Sequence, residues 1–395
     1  MRLKIIGFLK RHPRTLAVFW AFARFVLKIC GSMVPVKKNS MLFSSLGGRG
    51  YSDSPKAIYD EVCSRKEFDD WTLVWAFVEP EAFSVPRGSK VKIDTVPFFK
   101  ALLRCEVWVS NSGMDRGIGI PRKKTLKVET WHGAPLKKIG GEENCTSMLI
   151  ADKKATTLDC KTLRCAQSEY DLKIFMRVFH APESAFLLSD LPRNDKLLNY
   201  TPSEITDIKK QLRISDDKIV ILYTPTYREY DFDKHGNIQF IPPFDLEKWR
   251  YELGTSCVLL FRAHYAVSAA LHIEDNSFVR NVTNYPSLND LYIISDLMIS
   301  DYSSTYFDYS ILQRPMLCYA YDLDIYEEQR GLYCKLEDML PCPVDTEENV
   351  LIERIKHLDW ELYSDKAAAF HQQYTPYSGR ASAAVVDEIE KRVSI

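Results

Sequence analysis

The sequence predicts an α/β protein made of two successive doubly wound domains, each with a mostly parallel sheet. The chain has 395 residues. A single hydrophobic core does not ordinarily serve a chain of this length, so two domains are expected. Hydrophobic residues make up 46% and charged residues 27%, which is typical of a folded globular protein. Short apolar runs alternate with helical patterns, and this alternation favours parallel strands covered by helices.

The apolar runs form two groups, and each group is predicted to build one sheet. The first group comprises residues 41–45, 71–77, 107–110, 126–130, 163–167 and 186–188, and the second comprises 219–223, 257–261, 297–300 and 316–319. A helix is predicted over residues 56–63, with Asp53 or Ser54 as N-cap and Pro55 in its first turn. A polar stretch at 199–204 is predicted to be the linker. The expected domains are therefore 39–200 and 201–395.

The N-terminal segment, residues 1–38, is basic and apolar. Net charge is −1 over the whole chain, so no overall field favours nucleic acid. The charge is unevenly distributed, however, because Asp53 is the first acidic residue and only basic charges precede it. Residues 15–30 are apolar but include Arg24 and Lys28, and they fall short of the roughly 20 residues of a spanning helix. The segment is predicted to be a helix that lies on an anionic membrane surface. The alternative is a helix packed on the protein's own core.

The ten cysteines show no metal-binding pattern. They form no CxxC pair, and Cys160 and Cys165 lack a nearby set of histidines. Reduced, mostly buried thiols in a cytosolic protein are the expected state.

The turn Ser300-Asp301-Tyr302-Ser303-Ser304 is the strongest local signal for a ligand site. It follows an apolar strand and precedes a helix predicted near residues 305–312. The free N–H groups and positive dipole end of a helix N-terminus hold phosphate, and Ser303 and Ser304 add hydroxyls. Ordinary helix capping by Ser or Asp explains the same residues and, for the turn taken alone, is far more common.

A second signal is the run 131–138, Trp-His-Gly-Ala-Pro-Leu-Lys-Lys, at the end of the strand predicted over 126–130. Neutral His132 is suited to take a proton from a hydroxyl, and Gly133 lets the backbone approach a ligand closely. Lys137 and Lys138 carry charge that balances phosphate. A purely structural histidine is the competing interpretation.

Further candidates stand at the ends of other predicted strands. Arg262 and His264 follow the strand over 257–261 and are suited to donate hydrogen bonds to a diphosphate. Thr226 and Arg228 follow the strand over 219–223, and Arg193 precedes the predicted linker. The Asp-x-Asp patterns at 231–233 and 322–324 are short enough to arise by chance.

Taken in order, these motifs resemble the CDP-glycerol glycerophosphotransferase family of teichoic acid primases and polymerases. The matching stretches are GYSDSPKAIY (50–59), WHG to Lys138 (131–138), PRND (192–195), YTPTYR (223–228), RAH (262–264), ISDYSS (299–304), RP (314–315), YAYDL (319–323) and RGLY (330–333). The resemblance covers residues 41–345. Ala134 stands where the family has Thr, and Ser54 stands where it has Asn.

This resemblance implies a GT-B fold, in which two Rossmann-like domains face a cleft and the second holds CDP. It implies CDP-glycerol or CDP-ribitol as donor and a polyprenyl-diphosphate-linked glycan as acceptor. The enzyme is expected to be peripheral, at the cytoplasmic face of the cell membrane. No cofactor is firmly implied, and metal need and oligomeric state stay open.

The implied reaction is attack of an acceptor hydroxyl on the β-phosphorus of the CDP-polyol, with CMP as leaving group. His132, on the first domain, is the expected base, and His264 is the second catalytic candidate; their roles are exchangeable. The expected donor-site residues are Thr226, Arg193, Arg228, Arg262, Asp301, Ser303, Ser304, Tyr321 and Arg330. Asp53, Lys137 and Lys138 are assigned to the acceptor, and no metal ligand is assigned.

Two other functions fit parts of this pattern. A GT-B glycosyltransferase that uses a UDP- or GDP-sugar would need a similar cleft and phosphate turn. A non-catalytic membrane scaffold would keep the fold but would not need the histidines at the strand ends.

Overall fold

A computed structural model of the protein describes residues 13–115, 124–144, 161–228, 242–263 and 273–393. The strands are β1 Lys37–Ser44, β2 Thr72–Phe77, β3 Ser89–Lys92, β4 Cys105–Ser110, β5 Leu126–Glu129, β6 Thr162–Ala166, β7 Phe186–Leu188, β8 Ile219–Thr224, β9 Cys257–Phe261, β10 Val279–Asn281, β11 Leu297–Ser300, β12 Met316–Tyr319 and β13 Val344–Asp345.

The α-helices of the described residues are α1 Pro13–Met33, α2 Asp53–Ser64, α3 Val96–Arg104, α4 Glu169–Val178, α5 Pro202–Gln211, α6 Leu246–Leu253, α7 Leu288–Ile294, α8 Thr305–Ser310, α9 Leu323–Gln329, α10 Leu336–Met339, α11 Glu348–Lys356, α12 Trp360–Tyr374 and α13 Ala381–Val393. Short 3-10 helices cover Leu46–Gly48, Lys66–Phe68, Pro80–Ala82, Glu183–Ala185 and Pro192–Leu198.

The strands build two sheets with the same doubly wound, Rossmann-like topology. The first sheet has the order β3-β2-β1-β4-β5-β6-β7, and the second has the order β10-β9-β8-β11-β12-β13. The pairings β1 with β4 and β8 with β11 are parallel. In such sheets the chain changes direction between the first and fourth strands, and ligands bind at the carboxyl ends of these two strands. In the second sheet, that point lies between β8 and β11.

The described residues divide into two compact units. The first contains those within 1–131, 158–164 and 383–395, and the second contains those within 132–157 and 165–382. The loop that starts at His132 therefore belongs to the unit of the second sheet, although the sequence placed His132 on the first domain. The division at residue 200 stays a prediction.

Helix α1 has one face on the core of the first unit. Leu27, Cys30 and Val34, on α1 and just after it, pack against buried side chains that include Leu42 and Trp108. This contact agrees with the alternative of a helix packed on its own core, and the described side chains that make it lie on one face of the segment. None of the described helices combines the length and apolar character needed to cross a membrane.

All ten apolar runs singled out in the sequence are strands in the structure, and three strands at sheet edges, β3, β10 and β13, are additional. Two helix predictions had inexact bounds. Helix α2 begins at Asp53, with Ser52 as the preceding cap residue, rather than at residue 56. Helix α8 ends at Ser310 rather than at 312, because residues 311–313 continue as hydrogen-bonded turns.

Candidate active site

Asp301 organises the switch point of the second sheet. Ser300 of β11 lies beside Thr224 of β8, so the residues that follow both strands meet at one edge. The Asp301 carboxylate accepts hydrogen bonds from the amides of Thr226, at 2.9 Å, and of Tyr302, at 2.7 Å. It is completely buried. Asp301 therefore joins the two strand ends from within the turn, and its contact with a donor stays a prediction.

Arg228 is buried next to this carboxylate and is occupied by protein groups. Its Nη1 donates to Asp301 at 2.9 Å, and its Nε and Nη2 each donate to Asp322 at 2.8 Å. Burial lowers the pKa of Arg228, but the charges of Asp301 and Asp322 outweigh it and raise that pKa above its usual value. A buried guanidinium that bridges two carboxylates in this way stabilises the turn that carries Asp301. Its contact with a donor stays a prediction.

Tyrosine rings surround the same guanidinium. The Arg228 Cζ lies 5.0 Å from the ring centroids of Tyr302 and Tyr321 and 5.2 Å from that of Tyr326. Tyr302 and Tyr326 stack with centroids 3.8 Å apart, and the Tyr302 hydroxyl donates to Asp322 at 3.0 Å. The predicted site residue Tyr321 is thus one of the three tyrosines around the Arg228 guanidinium.

Arg262, at the end of β9, is a partly buried cation without a carboxylate partner among the described residues. Its Nη1 donates to the carbonyl oxygens of Val282, at 2.7 Å, and Tyr285, at 2.5 Å. Burial lowers the pKa of Arg262 below its usual value. A half-buried guanidinium that is balanced only by neutral carbonyls is suited to bind an anion. The predicted partner His264 lies outside the described residues.

The Ser303–Ser304 turn is in direct contact with the loop that carries His132. Gly133 has φ +147°, and a Cβ atom built on it would lie 2.3 Å from Ser304 Oγ. Only glycine fits this contact, since real Cβ atoms do not approach so closely. Two motifs that are far apart in the sequence therefore meet within one unit.

His132 lies between two residues with unusual backbone geometry. Trp131 has φ 61°, in the left-handed region, and Gly133 follows with its own positive φ. The His132 side chain is exposed, and its carbonyl oxygen accepts a hydrogen bond from Arg193 Nη2 at 3.1 Å. Left-handed backbone at a bulky residue is costly and is concentrated at functional sites. The structure therefore presents the imidazole to solvent on a constrained loop.

The rest of this loop is attached to the segment that follows α9. The Lys138 amide donates to the Gly331 carbonyl at 3.0 Å, and its Nζ donates to Asn144 at 2.9 Å. Arg330 Nη2 lies 3.6 Å from a Glu143 carboxylate oxygen, and both side chains are buried. The predicted residues Lys138 and Arg330 are thus close together, and Glu143 and Asn144 are neighbours that the sequence did not indicate.

Two other predicted acceptor residues have different surroundings. Lys137 Nζ lies 6.0 Å above the ring of Tyr227, beside Arg228 in the sequence. Asp53 belongs to the first unit, has φ 62°, and accepts a hydrogen bond from the Ser54 amide at 2.6 Å. Its carboxylate is thus bonded to the first turn of α2, and its acceptor role stays a prediction.

Four buried polar residues near His132 were missed in the sequence: Gln167, Asp190, Asn194 and Asp308. They are hydrogen-bonded to one another or to Arg193. Only Asn194 stands in a motif that the sequence singled out. For the other three residues, the signal in the sequence was a single polar residue within or next to a buried strand or helix.

The described cysteines are free thiols, as expected, and five of the eight are buried. Among the described residues, no group of three His, Cys, Asp or Glu side chains is arranged to hold a metal ion.

Comparison with known proteins places this geometry in a family. Residues 27–391 match the family described as CDP-Glycerol:Poly(glycerophosphate) glycerophosphotransferase. The chain is 34% identical over 372 residues to a teichoic acid poly(glycerol phosphate) polymerase of Staphylococcus epidermidis, covering 91% of this chain and 51% of that protein. It therefore spans about half the length of that polymerase.

Two further matches extend over nearly the whole of the related protein. A teichoic acid glycerol-phosphate transferase of Staphylococcus aureus is 33% identical over 374 residues, which is 90% of this chain and 93% of that protein. A solved structure of a variant of the wall teichoic acid polymerase TagF, soaked with CDPG, has a TM-score of 0.84 and 30% identity, covering 97% of this chain and 96% of that one. The chain belongs to the CDP-glycerol:poly(glycerophosphate) glycerophosphotransferase family.

Proposed function

We propose that this chain transfers glycerol phosphate from CDP-glycerol to a hydroxyl of a lipid-linked glycan and releases CMP, in teichoic acid-like polymer synthesis. The contact of Gly133 with Ser304 is the observation that carries the proposal. It brings a solvent-exposed histidine to the turn at the switch point of a doubly wound sheet, where ligands of such sheets bind. The CDPG-soaked TagF structure and the family membership supply the donor.

The donor diphosphate has a defined set of partners at this edge. Arg262 offers a cation whose described neighbours are carbonyl oxygens, and Ser303 and Ser304 are half-exposed hydroxyls on the turn. The Thr226 hydroxyl is buried at the end of β8 and has no hydrogen-bond partner among the described residues. Fixed donors of this kind stabilise negative charge as it builds on the leaving phosphate.

The reaction is an in-line displacement at phosphorus. The acceptor hydroxyl oxygen forms a bond to the β-phosphorus while the bond from that phosphorus to the bridging oxygen breaks. The bridging oxygen leaves with its electron pair as part of CMP, and His132 takes the proton of the hydroxyl. The predicted catalytic part of His264, and the possible exchange of roles, belong to the same proposal.

Helix α1 supports a peripheral membrane location, at the cytoplasmic face where CDP-activated donors occur. Opposite the face that packs on the core, α1 exposes apolar side chains at helical spacing: Val18, Phe22, Phe25, Val26, Ile29 and Met33. All charged side chains of the segment before Asp53 are basic. An apolar stripe on a basic segment is suited to the boundary of an anionic bilayer. This surface would bring the site to a polyprenyl-diphosphate-linked acceptor.

Donor specificity tests the proposal and separates it from its alternatives. CDP should raise the melting temperature of the purified chain more than UDP or GDP at equal concentration, since a ligand stabilises the state it binds. CDP-glycerol should also support faster transfer than CDP-ribitol. A larger shift with UDP or GDP would instead favour a nucleotide-sugar glycosyltransferase, and no shift with any nucleotide would favour a scaffold.

A further inference from the structure

The loop that carries His132 is held by hydrogen bonds on both sides of Gly133. On one side, the His132 carbonyl accepts from Arg193 Nη2 at 3.1 Å. On the other side, the Ala134 amide donates to the Gln167 side-chain oxygen at 3.1 Å. Both bonds are made to the backbone, so they fix the course of the loop without using the imidazole as a partner.

The two holding residues are themselves joined through a buried chain of hydrogen bonds. Arg193 Nη2 pairs with Asp308 at 2.6 Å, and Asn194 Nδ2 donates to Asp308 at 2.8 Å and to Asp190 at 3.1 Å. Gln167 Nε2 donates to the same Asp190 oxygen at 2.7 Å. The bonds close into a ring that returns to the loop; we call its members the polar ring: Gln167, Asp190, Arg193, Asn194 and Asp308.

The polar ring is almost completely removed from solvent. Asp190, Asn194, Asp308 and Gln167 are each at most 1% exposed. Buried polar groups are costly when a partner is lost, so each hydrogen bond of the ring favours one arrangement of the groups it joins. Asp308 also lies on α8, one turn after Ser304. The same network therefore contacts the His132 loop and helix α8, which follows the Ser300–Ser304 turn. We call this turn the donor turn.

We infer that the polar ring positions His132 against the donor turn, so that its members act on the reaction through the loop without touching substrate. The inference rests on the proposed function, because it gives His132 the role of base. The left-handed backbone at Trp131 supports it, since such a conformation at a bulky residue persists only where surrounding contacts determine it. Arg193, assigned from the sequence to donor binding, becomes a positioning residue in this account.

The test uses variants that break bonds of the ring and keep the approximate shape of the side chain. Asp308→Asn removes the ion pair with Arg193. Gln167→Met removes the bond to the Ala134 amide together with the bond to Asp190. Each should lower kcat for transfer from CDP-glycerol by about tenfold or more, because small misplacements of a catalytic group cost that much. The KM for CDP-glycerol and the Kd for CDP should stay within about threefold of the wild-type values.

Two further variants separate positioning from general damage. Arg193→Lys should recover part of the kcat lost in Arg193→Ala, since a cation remains near Asp308. Lys196→Ala removes a neighbouring ion pair with Asp290 that does not belong to the ring, and its kcat should match that of the wild type. The Kd for CDP reports whether the donor side of each variant is folded.

The outcomes distinguish this inference from the proposed function. If the wild-type chain transfers nothing from CDP-glycerol, the proposed function fails. If the wild type is active and His132→Ala is not, but Asp308→Asn and Gln167→Met bind CDP and keep wild-type kcat, only the positioning role is overturned. A rise in KM and Kd for Arg193→Ala without a fall in kcat would return Arg193 to the donor site and also overturn it.

Discussion

Gly133 and Ser304 are in contact so close that a Cβ atom on Gly133 would lie 2.3 Å from the serine Oγ and 2.6 Å from its Cβ. The pair joins the end of the WHG motif to the Ser300–Ser304 turn within one unit. Because neither partner can move without displacing its own loop, this contact sets the distance between the His132 loop and that turn. Four predictions about substitutions follow from the contacts described.

Gly133→Ala should strongly reduce transfer. The added methyl group must push the His132 loop away from Ser304, and we expect kcat to fall by at least about tenfold. The measurement is steady-state transfer from CDP-glycerol. Gly141→Ala is the matched control, because Gly141 also has a positive φ, of 101°, but has open space where a Cβ would lie. Equal kcat losses in the two variants would mean that backbone strain, and not the contact, is responsible.

Arg228→Met should lower the free energy of unfolding of the second unit, because Arg228 is buried. It leaves the carboxylates of Asp301 and Asp322 without their buried cation, and breaking a buried pair costs about 3–5 kcal/mol. Denaturant unfolding measures the loss. Arg250→Ala, which removes an exposed pair with Glu247, should change stability by only about 0.5 kcal/mol or less. A similar small effect for Arg228→Met would contradict the supporting role given to Arg228.

Asp190→Asn should change how stability depends on pH. Burial, followed by the charge of Asp308, raises the pKa of Asp190 from 3.8 to about 7 in the folded protein. Folded Asp190 therefore holds its proton more tightly than unfolded Asp190, and its stabilising contribution is lost as pH rises from about 4 to about 7. Relative to the variant, the wild-type melting temperature should fall over this range by about 3 °C or more.

The comparison with Asp190→Asn isolates one carboxyl group. Asp171, whose pKa burial raises to about 6, is present in both proteins, so its contribution cancels in the difference. A constant difference in melting temperature from pH 4 to pH 8 would show that Asp190 has an ordinary pKa in the folded protein.

The exposed stripe of α1 should be required for binding to anionic vesicles. Replacing Phe22 and Phe25 with Ser removes two side chains that are 66% and 61% exposed, and burying each would contribute about 1.5–3 kcal/mol. Co-sedimentation should show at least about tenfold weaker binding. Tyr251→Ser, at an 85% exposed position of α6, is the control and should bind as the wild type does. Unchanged binding by the double variant would remove α1 from the membrane account.

The sequence predicted the parts of the fold that short-range patterns encode. Runs such as 219–223 and 297–300 became β8 and β11 because a strand buried on both faces must be apolar throughout. Three of the four edge strands, β3, β10 and β13, were missed for the same reason. Strand β3, Ser89–Lys92, is mostly exposed and alternates polar residues, so nothing in its composition distinguishes it from a loop.

The candidate site was predictable only where a residue's role is local. The Ser300–Ser304 turn and the loop with His132 each follow a strand, so their position at a strand end could be derived from the chain itself. Arg228 could not be interpreted in this way, because its partners Asp301 and Asp322 are 73 and 94 residues away in the sequence. The polar ring is a still clearer case, since Gln167 and Asp190 meet only through the fold.

The most direct test of the central claim is a product measurement with the purified full chain. CDP-glycerol and a polyprenyl-diphosphate-linked glycan are incubated with the wild type or with His132→Ala, and both the acceptor mass and the released CMP are measured. The account predicts that the wild type adds glycerol phosphate to the acceptor with one CMP per addition, and that His132→Ala binds CDP but adds almost none. An unchanged acceptor mass with the wild type, or wild-type rates with His132→Ala, would contradict it.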